Sequence, residues 1–507
     1  HERAHMGEPD SFPRHVLLAR AANELEDAPM VSRRDAAPAV ADRHRHLVRA
    51  AQRDLEGDAP AVRDQVALLD GALAGIGGRE TLPLLAGVVG IVASFLLCGL
   101  VALGGTRASA PTMVVSRAAF GVRGNRLPSA ISWLLTVGWE TVLVSLAALA
   151  TATVFTTLGW GGGTVTKAVA LLVVVLLVVG AGVLGFDAIM RLQAVITVVT
   201  GVLTAVFLAL RLEDLSWGAV AAVPNGSWQA LLGATVFAMT LFGLGWVNAA
   251  GDYSRYLPRH SSRPGVVWWT TFGGAAAPLV LASFGVLLAA SSPEFAAGVD
   301  TDPIGALAAG LPVWFLVPFA LVAVLSLVGG AVLDIYSSGL ALLSLGLPAP
   351  RWVAALVDGA LMVAGAVYVV FVSADFLTPF QGFLITLGVP IAAWAGAAVA
   401  DLVRRSGAYD DAALFDPAGP YGSVRWGPVA LLLAATAVGW GLVVNSSAAW
   451  LTWQGYLLEP LGLGGRDGDW AYANLGVLAA LVLGFGGQLL LTPSARATLR
   501  TGALSRR

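Results

Sequence analysis

The sequence predicts an all-α protein that crosses a membrane many times. Of its 507 residues, 57% are hydrophobic and 12% are charged, whereas soluble domains carry about 25% charged residues. The apolar residues are concentrated in runs of about 18 or more, the length that a helix needs to cross about 30 Å of hydrocarbon. The single cysteine, Cys98, lies inside such a run, which excludes a disulfide framework and a thiolate metal site.

Eleven apolar runs predict membrane-spanning helices, each marked by continuous apolar character rather than by amphipathic periodicity. In chain order these predicted spans are Leu82–Gly104, Leu127–Leu149, Ala168–Gly185, Leu192–Leu210, Leu231–Ala249, Val266–Ala289, Val313–Leu333, Trp352–Val372, Phe376–Val399, Pro428–Val444 and Ala471–Leu491. The connections between them therefore alternate between the two sides of the membrane.

The connections on the two sides differ in charge. Segment 105–126 is a loop in this prediction and contains four arginines and no acidic residue, and segment 250–264, the start of segment 400–425 and the C-terminal tail are also rich in arginine. The opposite side carries acidic residues such as Glu213. Because short basic connections stay in the cytoplasm, the sequence predicts a multi-pass plasma-membrane protein with a cytoplasmic C-terminus.

Residues 1–80 contain no spanning run. Their most apolar piece, Val66 to Gly78, has about 13 residues and includes Asp70, so it is too short to span, and it lacks the features of a secretory signal. If segment 105–126 is cytoplasmic, the first predicted span begins outside, and one more crossing is expected before it. We therefore expect residues 1–80 to be disordered or non-native, with one helix missing.

Three short segments carry a family resemblance. The first reads PTMVVSRAAFG over residues 111–121 and is followed by Gly138 and Trp139; the second reads GWVNAAGDYSRYLP over 245–258; the third reads DIYSSGL over 334–340. Together they resemble the nucleobase:cation symporter-1 family, the permeases for cytosine, purines, uracil, allantoin and thiamine. The resemblance covers about residues 82–445.

This resemblance implies an inverted-repeat fold with two repeats of five helices followed by two further helices. The first and sixth helices of such a fold are broken at mid-membrane, where they meet substrate and coupling ion. Leu82–Gly104 then corresponds to the second helix, so the first helix is not recognisable. Three regions are expected: residues 1–80, a transporter core over 81–445, and an outer loop, last helix and basic tail over 446–507.

Two adjacent residues in the second predicted span are the leading candidates for substrate contact. Trp139 lies near the middle of its span, where an indole can stack on a planar heterocycle, and the resemblance implies this role. Glu140 lies deep in the same run, where a carboxylate is costly and normally faces a cavity or partner. It could bind a proton or an amino-substituted base, or be a protonated structural acid. Leu143 replaces an amide that the resemblance implies.

The sixth and tenth helices of such a fold correspond here to the predicted spans Leu231–Ala249 and Phe376–Val399. They supply the other predicted contacts. Glycines interrupt the sixth helix and permit unwinding, although close helix packing is the alternative explanation. Gln381 and Phe383 open the tenth helix, with Phe380 beside them, and Gly382 replaces an asparagine that the resemblance implies. The predicted substrate-binding residues are thus Trp139, Glu140, Phe242, Gly243, Gly245, Trp246, Asn248, Gln381 and Phe383.

Three residues are candidates for cation coupling: Glu140, Ser326 and Asp334. Asp334 stands next to the predicted end of its span, so solvation or a structural role competes with function, and Ser326 could donate an oxygen to sodium. Glu140 and Asp334 favour a proton as the coupling cation. We expect Asp252, Arg255 and Arg117 to be structural residues on the cytoplasmic side.

The resulting prediction is a secondary active transporter that takes up a nucleobase such as cytosine or a purine with a proton. The alternatives are sodium-coupled transport of a related heterocycle (allantoin, hydantoin, thiamine or a nucleoside) and a truncated member that does not transport. No phosphate-binding glycine loop, metal spacing or nucleophile elbow indicates an enzyme, and no repeated filter indicates a channel. The expected partners are the bilayer and a small heterocycle, with no nucleic acid, resident metal or cofactor; the oligomeric state stays open.

Overall fold

The computed structural model describes residues 82–222, 227–301, 303–373, 377–405 and 409–492. We number the α-helices within these ranges α1 to α18 in chain order. They are Leu82–Ala108, Thr112–Val115, Arg117–Phe120, Arg126–Thr157, Thr164–Leu184, Phe186–Arg211, Trp217–Ala221, Trp228–Leu241, Gly243–Trp246, Ala250–Ser254, Arg263–Ser291, Pro293–Thr301, Pro303–Ala308, Val313–Ser344, Arg351–Phe371, Leu377–Arg404, Trp426–Trp440 and Leu475–Leu491.

Each of the eleven predicted spans coincides with a helix. In the described part of the chain, nine helices are long and apolar enough to cross a membrane, counting α8 to α10 as one interrupted span. The two remaining predicted spans are the shorter apolar helices α17 and α18. The protein is therefore a multi-pass helical membrane protein, as its composition indicates.

The boundaries of several spans differ from the prediction. Helix α14 continues to Ser344, eleven residues beyond the predicted end at Leu333, because Asp334 is buried inside the bundle and not placed in solvent. The expectation of a loop over 105–126 was also wrong: α1 extends to Ala108, and the short helices α2 and α3 occupy the connection. A charged residue that neighbouring helices bury can lie well inside a helix, so the helix end predicted from its charge is then wrong.

The two largest of four apolar cores in the described residues organise the helices around the candidate site. The larger joins α1 and the interrupted span to α16, α17 and α18, and its largest side chains include Trp394 and Leu244. The second joins α4, α5, α14 and α15 around residues such as Tyr336 and Met362. Helix α4 belongs to both, because Trp139 packs against the first core and Leu143, one turn later, packs against the second. The candidate site lies along this shared helix.

Residues 1–81 and 493–507 are outside the described residues. The predictions of a disordered or non-native N-terminal region, of a missing first helix and of a basic cytoplasmic tail fall on them. The proposed division of the chain at residues 80 and 445 stays a prediction.

Candidate functional site

The span formed by α8, α9 and α10 is broken at the glycine-rich segment. Helix α8 ends at Leu241, and Phe242 has φ −101° and ψ −95°, outside the helical region. A single turn, α9, follows over Gly243–Trp246, and α10 begins only at Ala250. The sequence pattern predicted an interruption at this place.

Helix α1 holds the break in position. Gly243 donates its backbone N–H to Ser94 Oγ at 3.1 Å, and the thiol of Cys98 donates to the carbonyl of Gly243 at 3.0 Å. A β-carbon on Gly243 would lie 2.4 Å from the carbonyl carbon of Ser94, so only glycine permits this approach. Two backbone groups near the interruption thereby gain partners on α1, as buried backbone requires.

An aromatic cluster lies beside the break. The ring of Trp139 on α4 makes edge-to-face contacts with Phe380 at 5.5 Å and Phe383 at 6.2 Å between centroids, both on α16. Trp139 also approaches Gly245 on α9, since a β-carbon there would lie 2.9 Å from the indole Nε1. That Nε1 is buried and has no hydrogen-bond partner within the described residues. Three elements thus converge on one indole that has an unused donor.

Glu140, the next residue, points into a group of buried acids. Its side chain is fully buried, and neither carboxyl oxygen has a hydrogen bond within 3.5 Å in the described part of the chain, although the hydroxyl of Ser338 lies near enough to act on it as a donor. It interacts electrostatically with Asp358 on α15 and with Asp334 on α14, both also buried. Because an ionised carboxylate without partners is costly inside a membrane, Glu140 is suited to hold a proton.

Comparison with known sequences identifies the family. The family model described as permease for cytosine/purines, uracil, thiamine, allantoin matches residues 84–458. The chain belongs to this family. A putative purine-cytosine permease, YxlA of Bacillus subtilis (strain 168), is 24% identical to it over 339 residues, which cover 64% of this chain and 69% of that protein.

Solved structures agree on the fold of the permease. Mhp1, a nucleobase-cation-symport-1 family transporter in a closed conformation with bromovinylhydantoin bound, matches with a TM-score of 0.59 and 18% identity, over 81% of this chain and 85% of that one. The inward-facing conformation of Mhp1 scores 0.51 at 19% identity, over 82% and 88%. The permease therefore has the inverted-repeat, broken-helix transporter fold.

The other predicted substrate-binding residues of the permease differ in how deeply they are buried. Phe242 and Trp246 are half-buried and pack against the same core as Trp139. Asn248 is buried, and its Nδ2 donates to Ser132 Oγ at 2.8 Å while its Oδ1 has no partner among the described residues. Gln381, in contrast, is exposed, so the structure leaves it outside the aromatic cluster.

The two cation candidates on α14 do not form one site. Ser326 is exposed, whereas Asp334 is buried, and eight residues of helix separate them by about 12 Å along the axis. Of the alternatives for Asp334, a solvated helix end is excluded, because the residue is buried and α14 extends ten residues past it. Asp334 joins the buried acids, and Ser326 does not.

Sequence reasoning missed Asp358. Its Oδ1 accepts from the indole of Trp133 at 2.6 Å, and its Oδ2 accepts from Ser338 Oγ at 2.9 Å. This carboxyl group consequently connects α15 to α4 and α14. The available signal was the same one that singled out Glu140, a lone acid inside an apolar run.

The connecting segment, residues 109–125, is folded against the ends of several helices. The backbone N–H of Thr112 donates to Asp252 at 2.8 Å, and Thr112 Oγ1 accepts from the N–H of Gly251 at 2.8 Å. The indole of Trp394 on α16 donates to Ser116 Oγ at 2.9 Å. The segment therefore packs across this end of the bundle.

Arg117 is a buried cation within that segment. Its guanidinium donates to the carbonyls of Ser344 and Leu414 and lies 5.1 Å from the ring centroid of Phe415. Burial, with a smaller contribution from Arg126, lowers the pKa of Arg117 to about 10. Arg117 remains charged at neutral pH, and the carbonyl contacts explain how that charge is accommodated.

Proposed function

We propose that the permease takes up a nucleobase such as cytosine or a purine together with a proton, by alternating access. The observation that carries the proposal is the juxtaposition of two groups that lack a hydrogen bond within 3.5 Å among the described residues: the indole N–H of Trp139, beside a broken helix, and the buried carboxyl group of Glu140. The first group is suited to a planar heterocycle and the second to a proton. Because they are consecutive on α4, binding of one can influence the other.

The substrate would stack on the indole of Trp139. Nucleobases present a flat π face, and stacking of a base on an aromatic side chain contributes about 1–3 kcal/mol. The rings of Phe380 and Phe383 contact the indole edge-to-face, so neither of these two rings is stacked on its face. The indole N–H and Asn248 Oδ1, both without partners among the described residues, are available to read polar edges of the base.

The coupling proton would reside on Glu140. A neutral acid is tolerated at this depth, whereas an ionised one needs water or a cation. Loss of the proton would therefore favour a conformation in which water reaches α4. Asp358 and Asp334 lie near enough to interact with the same charge, which adds repulsion against the ionised form. This arrangement couples protonation to the open or closed state of the site.

We also propose an orientation in which the connecting segment faces the cytoplasm of a plasma-membrane protein. The arginines of this segment and of the connection between α10 and α11 lie on one side of the bundle, which the positive-inside rule assigns to the cytoplasm. Closure of the connecting segment then corresponds to a site shut from the inside. Substrate would enter from outside and leave after the segment separates from α10.

Uptake by the purified full chain in proteoliposomes tests the function. Radiolabelled cytosine, adenine, uracil, allantoin and thiamine would be supplied with an inward proton gradient, an inward sodium gradient, or neither. We expect concentrative uptake of a nucleobase under the proton gradient and its collapse with a protonophore. Uptake that follows only sodium would reject proton coupling, and failure to transport any nucleobase under either gradient would reject the substrate class.

A further inference from the structure

Four helices have one end at the connecting segment, residues 109–125. Helix α4 begins directly after it, and α10 is joined to it by the hydrogen bond from Thr112 to Asp252. Arg117 in the segment donates to the carbonyl of Ser344 at the end of α14, and α15 begins seven residues after α14 ends. Depth in the bundle can therefore be counted along each helix from this end.

A buried acid lies at a different depth on each of these helices. At 1.5 Å per residue the four acids lie about 21, 15, 10 and 3 Å from the helix end at the connecting segment. In that order they are Glu140 on α4, Asp334 on α14, Asp358 on α15 and Asp252 on α10. All four are at most 3% exposed. They form a descending series from the transport site to the connecting segment.

Asp334 lies within reach of both ends of this series. It interacts electrostatically with Glu140, whose carboxyl group has no hydrogen bond within 3.5 Å among the described residues. It also interacts with Tyr253, the residue that follows Asp252 in the chain. Ionisable groups inside a membrane are costly, and chains of them mark proton relays. Asp334 is therefore placed between the proton site and the acid at the connecting segment.

Two hydroxyl groups on the same helix extend this reach. Ser337 and Ser338 follow Asp334 by three and four residues, so the three side chains are neighbours on one face of α14. The hydroxyl of Ser338 lies near enough to Glu140 to act on it as a donor, and Ser337 Oγ donates to the hydroxyl of Tyr253 at 3.4 Å. Because a hydroxyl group both donates and accepts, one turn of α14 connects the side chain of Glu140 to that of Tyr253.

Asp252 ends the series at the connecting segment. Its Oδ1 accepts the backbone N–H of Thr112 at 2.8 Å, and the hydroxyl of Ser337 and the cation of Arg255 also act on its carboxyl group. The segment thus covers the shallowest of the four acids. When the segment separates from α10, Asp252 would be the first acid of the series to meet water, which can take up a proton.

We propose that the coupling proton travels from Glu140 through Asp334 to Asp252 and leaves the protein at the connecting segment. The route rests on the proposed proton coupling at Glu140 and adds the residues that carry the proton away. At each step an O–H bond on one carboxyl group breaks and an O–H bond forms on the next carboxylate, directly or through a hydroxyl group or water. Asp252 finally gives the proton to water, so one proton is moved and none is consumed.

Proton entry into proteoliposomes during uptake tests the route. A pH-sensitive dye in the lumen reports the proton, and radiolabelled cytosine or adenine reports the substrate. We compare the wild type with Asp334→Asn and Asp252→Asn, in which the amide keeps an acceptor oxygen but cannot carry a proton. The matched control is Asp187→Asn, at an exposed acid. We expect substrate-dependent proton entry to fall at least about tenfold in the two variants and to be unchanged in the control.

A second readout separates the route from folding and substrate binding. Exchange of labelled for unlabelled substrate without a gradient needs an intact binding site and the conformational change, but no net movement of protons. We therefore expect exchange to persist in Asp334→Asn and in Asp252→Asn. A residue with a merely structural role would lose exchange and proton entry together.

Each outcome decides the proposal. Loss of proton entry in both variants with exchange retained supports the route. Proton entry at the wild-type rate in either variant, or equal loss of exchange, overturns the route and leaves proton coupling at Glu140 intact. A wild type without substrate-dependent proton entry overturns proton coupling and the route together. If one variant does not fold, the other decides by the same criteria.

Discussion

The indole Nε1 of Trp139 lies 2.9 Å from the point that a β-carbon on Gly245 would occupy. This contact joins α4, the helix shared by both apolar cores, to the single turn after the break in the neighbouring span. The distance leaves no room for a side chain on Gly245. The aromatic cluster and the broken helix therefore form one site, and a change in either should alter substrate binding.

Substitution of Gly245 by alanine tests this contact directly. The added methyl group would displace the Trp139 indole, and overpacking of this kind costs about 1–3 kcal/mol, so we expect KM for uptake to rise at least about fivefold. Gly273→Ala and Gly285→Ala on α11 are matched controls, because nothing lies within 4 Å of a β-carbon at either position. Equal KM values in the three variants would contradict a role for the contact.

Trp139 should dominate the affinity for substrate. Trp139→Ala removes the stacking surface, worth about 1–3 kcal/mol per base, and isothermal titration should show a correspondingly weaker Kd. Trp139→Phe keeps a ring but loses the unpaired N–H, so its affinity should fall between those of the wild type and the alanine variant. The control is Trp160→Ala, in an exposed turn; an equally weak Kd in that variant would point to a general effect on folding.

Glu140→Gln should separate transport from the proton gradient. The amide is neutral at every pH, so the variant cannot release or take up the proton. We expect concentrative uptake under a pH gradient to fall at least tenfold, and the dependence of initial rate on external pH to flatten. Substrate exchange across a membrane without a gradient should persist. Asp187→Asn, at an exposed acid at the start of α6, controls for charge; protonophore-sensitive accumulation by Glu140→Gln would refute the assignment.

Asp358 should act by positioning, through Trp133 and Ser338. Alanine at this position leaves the Trp133 N–H without its acceptor, at a cost of about 1–3 kcal/mol, whereas Asp358→Asn keeps an acceptor oxygen. We expect Asp358→Ala to lower the midpoint of thermal unfolding and Asp358→Asn to restore most of it. A shifted pH profile of uptake in Asp358→Asn would show that the acid also influences Glu140. An unchanged midpoint in Asp358→Ala would exclude the positioning role.

Asp252 should stabilise closure at the end of the bundle that holds the connecting segment. Its carboxylate accepts the backbone N–H of Thr112, and a hydrogen bond to a charged group contributes about 1.5–3 kcal/mol. Asp252→Ala should therefore lower the unfolding midpoint and speed maleimide labelling of Cys98, which is buried against the break in the closed form. Asp411→Asn breaks an exposed ion pair, worth about 0–1 kcal/mol, and should change neither measurement.

Much of the fold could be predicted because a bilayer imposes simple requirements on a sequence. Uninterrupted apolar runs of sufficient length predicted the eleven apolar spans, and the glycines around Phe242 predicted the position of the break. The ends of helices were less predictable. Asp334 and Arg117 look like signals for solvent, yet both are buried by residues distant in the chain, and no local pattern reports that burial.

The candidate site divides in the same way. The chemistry of Trp139 and Glu140 was visible in the sequence, because an indole and a carboxylate in the middle of an apolar run need a reason to be there. The sequence did not show which of the other candidates lie beside them. Ser326 and Gln381 have suitable side chains but are exposed. Asp358 was not predicted as a site residue, although it accepts two hydrogen bonds beside Glu140.

The sequence by itself determined that this chain is a helical membrane protein, where its eleven apolar spans lie and which family it resembles, since hydropathy and short motifs are local properties. The tertiary structure alone decided which polar groups meet. The contact of Trp139 with Gly245 joins residues about 100 positions apart in the chain, and the contact of Asp358 with Trp133 joins residues more than 200 positions apart. The rotation and packing of whole helices set those contacts, and a one-dimensional pattern does not contain that information.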